Sequence, residues 1–241
     1  MRRDERSSQR RLLAAAKSLF AERGYEGTAI ADITRAAKTS HSQFLKYYSG
    51  KEELRREIVE EHWSELSRSV ILATSSVSAA TEKLKLALNM FISSLENDPE
   101  FRTILLLERA AMRERGGVTV GPEFREFIAI LDDIVKEMKD TGELRAAKLD
   151  VHALRSALIG AIEGMMRDQL MATSNFPAQY SVEQVRSMLS IVINSVCDFR
   201  RPSAGVQAGL GESIAGAPGE DDWIRYYLKL ADRALHPIEL S

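Results

Sequence analysis

Apolar residues recur at three- and four-residue intervals along most of this chain. Leu12, Leu13, Ala16, Leu19 and Phe20 share one stripe and predict an amphipathic helix over 8–23. Gly24 follows it, suited to a helix C′ position because glycine tolerates positive φ. Thr28 is placed to cap a second helix, with Ile30 and Ile33 turned inward and an end near Ala37. Ser40 and Gln43 have capping-box spacing, as have Ser49 and Glu52. The first pair opens a short helix over 40–46, the second a long one over about 51–73. Helices over 79–96, 100–114, 122–140, 148–172 and 181–200 follow, divided by Asn97-Asp98-Pro99, Gly116-Gly117, Thr141-Gly142 and a loop at Pro177. No stretch alternates with period two, so the expected fold class is all-α.

Composition narrows the function. The 241 residues suffice for a hydrophobic core without staples. No apolar run approaches the roughly 18 residues of a membrane span. The start, Met1-Arg2-Arg3-Asp4-Glu5-Arg6, is followed by no apolar stretch of a secretory signal, so a cytoplasmic protein with no membrane partner is expected. The single cysteine, Cys197, excludes an intramolecular disulfide and lies on an apolar helix face, where it reads as core. The histidines, His41, His62, His152 and His236, are scattered, so neither a metal site nor a cofactor is expected. Residues 55–200 hold no Gly-x-Ser-x-Gly, His-Glu-x-x-His or phosphate loop, and no catalytic residue is assigned.

Charge is unevenly spread. Residues 1–56 carry 13 Lys/Arg against 7 Asp/Glu, whereas the whole chain has a net charge of −2. A basic N-terminal part attracts phosphate backbones, which the acidic remainder repels. Residues 28–46, TAIADITRAAKTSHSQFLK, read as helix, short turn, helix. That is a helix-turn-helix, whose second helix enters the major groove.

Residues 10–54, RRLLAAAKSLFAERGYEGTAIADITRAAKTSHSQFLKYYSGKEEL, resemble the N-terminal domain of the tetracycline-repressor (TetR) family. Ala15 to Gly24, with Leu19-Phe20 and Arg23-Gly24-Tyr25, is similar to the family's first helix and its exit. Thr28, Ile33 and Ala36-Ala37 resemble the second, and Ser40, Phe44 and Tyr47-Tyr48 the recognition helix, before Lys51-Glu52-Glu53-Leu54. Lys38 stands where the family usually has glycine in a positive-φ position. Ser42 replaces a frequent glycine, Gln43 a frequent threonine, and Leu45 a tyrosine that commonly touches phosphate.

The resemblance implies a ligand-responsive repressor that binds a palindromic operator in double-stranded DNA as a homodimer. An N-terminal three-helix helix-turn-helix domain is joined to a C-terminal helical ligand-binding and dimerisation domain. Thr28, Lys38, Ser40, His41, Ser42, Gln43, Lys46, Tyr47 and Lys51 are the candidate DNA-binding residues. Gln43 suits adenine N6 and N7; Lys46, Tyr47 and Lys51 suit phosphate; His41 suits either a base edge or phosphate. Phe44, Leu45 and Tyr48 are assigned to core packing. A capping role for Thr28, a core role for Tyr47 and a solvated face for Lys38 and His41 remain open. So does a helical interaction protein with a degenerate helix-turn-helix. The basic tail Arg2-Arg3-Arg6 is either an arm into an adjacent groove or a plain terminus.

The helices over 148–172 and 181–200 are the expected dimer interface. Val182, Val185, Leu189, Val192, Val196 and Phe199 form a stripe that Met188, Ile191 and Ile193 widen. Ala153, Ala157, Gly160, Ala161 and Gly164 are small enough for close helix approach, so two helices from each subunit make a four-helix bundle. The effector is an unknown small molecule. Trp63, Met90, Phe91, Leu105, Met112, Phe127, Met165 and Met166 are candidates to line its pocket, oriented by Glu108, Arg109 and Glu163; each of the apolar ones reads first as plain core. The expected domains are 1–50 for DNA binding and 51–200 for ligand binding and dimerisation. Residues 202–221, with five of the 14 glycines, predict a linker over 201–221. Trp223, Tyr227, Leu230 and Ala234 mark an amphipathic helix within 222–241.

Overall fold

Helix α1 (Arg2–Arg23) starts before its apolar stripe, because arginine, glutamate and glutamine are good helix formers. Leu12, Ala16, Leu19 and Phe20 are buried on it. It stops at Gly24, φ +74°, whose N–H bonds Phe20 O at 3.0 Å. The computed structural model describes residues 2–108, 121–144, 150–173 and 180–197. These fall within one compact unit, Met1–Phe199. The linker and C-terminal helix expected over 201–241 lie outside the described residues.

Helix α2 (Ile30–Ala36) is not capped by Thr28. Its N-cap is Ala29, with no capping side chain. Thr28 is 1% exposed, and its hydroxyl donates backward to Gly24 O at 2.8 Å and Leu19 O at 3.2 Å. The end of α1 leaves carbonyls without partners, and a buried hydroxyl satisfies them there. Helix α3 (His41–Phe44) is one turn, shorter than the expected 40–46. Helix α4 (Lys51–Thr74) begins after Gly50, which makes Glu53 rather than Glu52 its third residue. Ser49 accordingly pairs with Glu53: its N–H and its hydroxyl both donate to Glu53 Oε2 at 2.8 Å. Glu52 pairs with Arg55 instead.

Next come α5 (Ala80–Asn97), α6 (Pro99–Thr103), a π-helical turn Ile104–Glu108, α7 (Pro122–Asp140), α8 (Val151–Leu170) and α9 (Val182–Val196). The helix expected over 100–114 is therefore not regular: it passes into the π turn, and 109–114 lie outside the described residues. Among the described residues there is no strand; Leu144 and Cys197 form an isolated bridge. Among them, too, no helix is long and apolar enough to cross a membrane.

The described residues form two cores. Leu12, Phe20, Ile33, Phe44, Tyr48, Leu54, Ile58 and Ile104 form the first. It therefore extends beyond the helix-turn-helix into α4 and the π turn. The second joins α4, α5, α7, α8 and α9 around Trp63, Leu84, Phe91, Phe127, Ile162, Val185 and Leu189. The junction between them is polar on one side. Lys17 of α1 pairs with Asp98, the N-cap of α6, and the His62 ring of α4 stacks on Phe101 at 3.4 Å between centroids.

Beyond α3, three more helix starts are capped locally. Asp98 accepts from Phe101 N–H, Asp150 from Ala153 N–H, and Ser181 with Gln184 forms a full capping box. Helices α5 and α7 are capped from elsewhere, since Ala79 and Gly121 supply no capping side chain. Glu143 accepts from Ala80 N–H at 3.1 Å and Thr81 N–H at 2.8 Å, and Glu60 from Glu123 N–H at 2.9 Å. A carboxylate at a helix N-terminus meets both open N–H groups and the positive end of the dipole. Burial opposes ionisation of Glu143, but the hydrogen bonds from Thr81 and Ala80 outweigh it and hold the carboxyl below its ordinary range.

Candidate nucleic-acid interface

The turn from α2 into α3 is a Schellman motif. Thr39 N–H bonds Thr34 O at 2.9 Å and Lys38 N–H bonds Arg35 O at 3.1 Å. The motif needs a left-handed residue at its C′ position, and Lys38 occupies it with φ +52°. The same motif ends α7 with Gly142 at φ +75°. Lysine thus adopts the conformation that glycine takes in the resembled family, and its side chain stays exposed.

Ser40 caps α3, accepting from Gln43 N–H at 3.1 Å, and its hydroxyl lies 3.0 Å from that of Ser42. Gln43 does not return the capping-box bond; its Nε2 donates to the Tyr47 hydroxyl at 3.0 Å. Phe44 and Tyr48 are 0% and 1% exposed and form the base on which α3 sits. Opposite them, His41, Ser42, Leu45 and Lys46 face solvent. Leu45 corrects the core assignment: it is 54% exposed. The first core already has Phe44 and Tyr48 at a four-residue interval, which turns Leu45 outward beside Lys46.

Thr28 and Lys51 do not join this face. Lys51 Nζ donates to Tyr25 O at 2.7 Å and Thr28 O at 3.2 Å and lies 4.2 Å from the centre of the Tyr25 ring. Together they tie the start of α4 to the loop after α1. Burial, and then the Glu52 carboxylate, push the Tyr25 phenol up to about 12, so it stays protonated at neutral pH. The brought-together set is therefore Lys38, Ser40, His41, Ser42, Gln43, Lys46 and Tyr47, with Leu45 added. The signal for Leu45 was present: it lies one residue beyond the buried Phe44 in a helical register.

Of the effector candidates, Trp63, Phe91, Leu105, Phe127 and Met166 are buried in the second core, with Met90 and Met165 packed on it. Trp63 stands 5.1 Å from Phe127, 5.5 Å from Phe91 and 4.7 Å from Phe124, ring centre to ring centre. Glu163 is half-buried on α8. The Glu108 side chain, Arg109 and Met112 lie outside what is described.

On α9, Val185, Leu189 and Ile193 are buried, while Met188, Ile191 and Val192 are 52%, 40% and 38% exposed. The expected stripe is thus divided, with Val192 on the outward side. On α8, Ala153, Ala157, Gly160 and Ala161 are exposed. A Cβ added at Gly160 would meet nothing within 4 Å.

Residues 12–58 match bacterial regulatory proteins of the tetR family, and residues 59–192 match the C-terminal region of YsiA-like proteins. The fatty acid metabolism regulator protein of Bacillus subtilis (strain 168) is 24% identical over 181 residues, 72% of this chain and 93% of that one. The fold is similar to that of the FadR regulator of Bacillus subtilis in complex with stearoyl-CoA, with a TM-score of 0.65, 21% identity, and 77% of this chain and 97% of that one covered. The fatty acid degradation regulator FadR of Bacillus halodurans gives 0.64 and 18% over 77% of this chain and 93% of that one. With a helix-turn-helix held on the first core and a YsiA-like helical region behind it, the chain belongs to the tetR family of DNA-binding transcriptional regulators.

Proposed function

We propose that this regulator is a homodimeric, ligand-responsive repressor whose two α3 helices enter successive major grooves of a two-fold symmetric operator. The outward face of α3, His41, Ser42, Leu45 and Lys46 on the buried base of Phe44 and Tyr48, carries this reading. Gln43 and Leu45 suit base edges, the latter a thymine methyl; Lys38 and Lys46 suit phosphate, and Tyr47 stands against Gln43. Ser40 supports the turn as a cap. Thr28 and Lys51 act behind the interface as a brace. Half-sites then lie about one helical turn apart, and chromosomal DNA as partner implies a cytoplasmic protein.

The solvent-facing sides of α8 and α9 support dimerisation through these helices, since small residues on one and apolar residues on the other suit a four-helix bundle. The effector is a long-chain acyl-CoA. Support comes from the similarity to the fatty acid metabolism regulator and to a structure holding stearoyl-CoA. The aromatic core around Trp63 offers an apolar surface for the chain, with Met90, Met165 and Glu163 at its edge. Acyl-CoA binding favours one arrangement of the dimer, and the junction of Lys17, Asp98, His62 and Phe101 relays it to α1.

Binding of operator DNA, recovered from genomic fragments, is measured against salt with and without stearoyl-CoA. A steep fall with salt and weaker binding in the presence of ligand are expected. Equal stearoyl-CoA affinity with and without operator would defeat the ligand coupling, and recovery of no site would defeat the operator reading.

A further inference from the structure

Gln43 and Tyr47 stand one helical turn apart beside the outward face of α3, and Gln43 Nε2 donates to the Tyr47 hydroxyl at 3.0 Å. A glutamine amide has two donor hydrogens on Nε2 and an acceptor oxygen, Oε1. With one hydrogen committed to Tyr47, the remaining edge offers one donor and one acceptor. That edge complements adenine in the major groove, which presents the N7 acceptor and the N6 amino donor. The tyrosine hydroxyl fixes the far end of the amide and so holds the plane and place of that reading edge.

We propose that Tyr47 is a positioning residue for Gln43, holding its amide edge in place to read adenine, so that one base preference of the operator is strengthened by a side chain that touches no base. This rests on the reading that α3 enters the major groove. Both ends of the glutamine are held. Its backbone N–H bonds Ser40 Oγ at 3.1 Å, and Tyr47 is anchored by its own N–H to Phe44 O at 2.9 Å. The Tyr47 ring also packs 6.4 Å from that of the buried Tyr48. The hydroxyl therefore stands on the same base as α3, and the reading edge of Gln43 is set before DNA arrives.

The test selects binding sites from random-sequence DNA with the full-length protein, Tyr47→Phe, Gln43→Ala and Gln43→Glu, and then measures affinity for the selected site and its single-base variants. The unsubstituted protein is expected to favour adenine over guanine at one position of each half-site by about ten- to a hundredfold, the range of one bidentate contact. Gln43→Ala removes that preference alone. Tyr47→Phe keeps the ring on Tyr48 and lowers the adenine-to-guanine ratio severalfold at the same position, leaving the others unchanged. Gln43→Glu offers acceptors only and moves the preference to a cytosine amino group.

An unchanged ratio in Tyr47→Phe, with affinity lower on all sequences alike, would assign the tyrosine to phosphate and overturn the proposal. A guanine preference that depends on Gln43 would overturn it as well. If Tyr47→Phe fails to fold, Gln43→Glu still decides: retained adenine preference removes the amide from base reading. Recovery of no site by the unsubstituted protein would instead refute the operator reading itself.

Discussion

The Glu60 carboxylate fills the space that a Cβ on Gly121 would occupy, and from there it accepts from Glu123 N–H at the start of α7. One helix is thus capped by a side chain of another. The backbone at Gly121, φ −66° and ψ 161°, is open to any residue, so glycine is required by the carboxylate and not by the turn. Gly121→Ser is expected to displace Glu60 and gain little, one cap replacing another. In a Glu60→Ala background the same serine should recover most of a loss of about 1 kcal/mol. Chemical denaturation of the four proteins checks this; additive effects would mean that Glu60 does not cap α7.

Lys38 sits at a left-handed position that costs a side-chain-bearing residue about 1 kcal/mol or more relative to glycine. Lys38→Gly should therefore raise stability by about 1 kcal/mol while keeping the Schellman turn. If the lysine also meets a phosphate, the same variant lowers the slope of log affinity against log salt by about one unit. Denaturation and a salt titration measure the two effects separately.

His62 predicts a pH dependence. Burial pushes it down to about 4, with Lys17 acting in the same direction and Asp98, its Oδ2 3.8 Å from Nδ1, opposing. The ring is therefore neutral at pH 7, and its approach to Asp98 is not an ion pair. Because the unfolded chain takes up this proton near 6.5 and the folded one near 4, the unfolded state binds more protons between those values. Stability should fall as pH drops through that window, by up to on the order of 3 kcal/mol from this group. His62→Phe should flatten that part of a melting-temperature profile; an identical profile would remove His62 as the cause.

Leu45 and Phe44 are neighbours on opposite faces. Phe44→Ala should cost about 3–5 kcal/mol and Leu45→Ala within about 0.5 kcal/mol, since only the first empties a core site. Thermal melts decide it, and a large loss for Leu45→Ala would return that residue to the core.

Ile191→Asp tests the proposed dimer. Ile191 is 40% exposed, so a single subunit should tolerate the change, whereas a charge in an apolar bundle would not be tolerated. A folded monomer in light scattering is the expected result; an unchanged dimer would place the interface elsewhere.

What the amino-acid sequence determined by itself was local. The 122–140 helix, the long helix from 51, the cap at Ser40 and the left-handed stop at Gly24 follow from residues within a turn or two of each other. So does the recognition turn, because Ser40, Phe44 and Tyr48 repeat at four-residue intervals. Only the tertiary structure decided where polar groups with distant partners went. Thr28 turned back to Leu19, Lys51 reached Tyr25 across 26 residues, and Glu143 and Glu60 crossed 62 and 63 residues to cap α5 and α7. Such bonds leave no periodicity, since a helix N-terminus accepts any carboxylate that packing brings to it. The same holds for burial: the repeat on α9 marks an apolar helix, but only its neighbours separate Ile193 in the core from Val192 outside it.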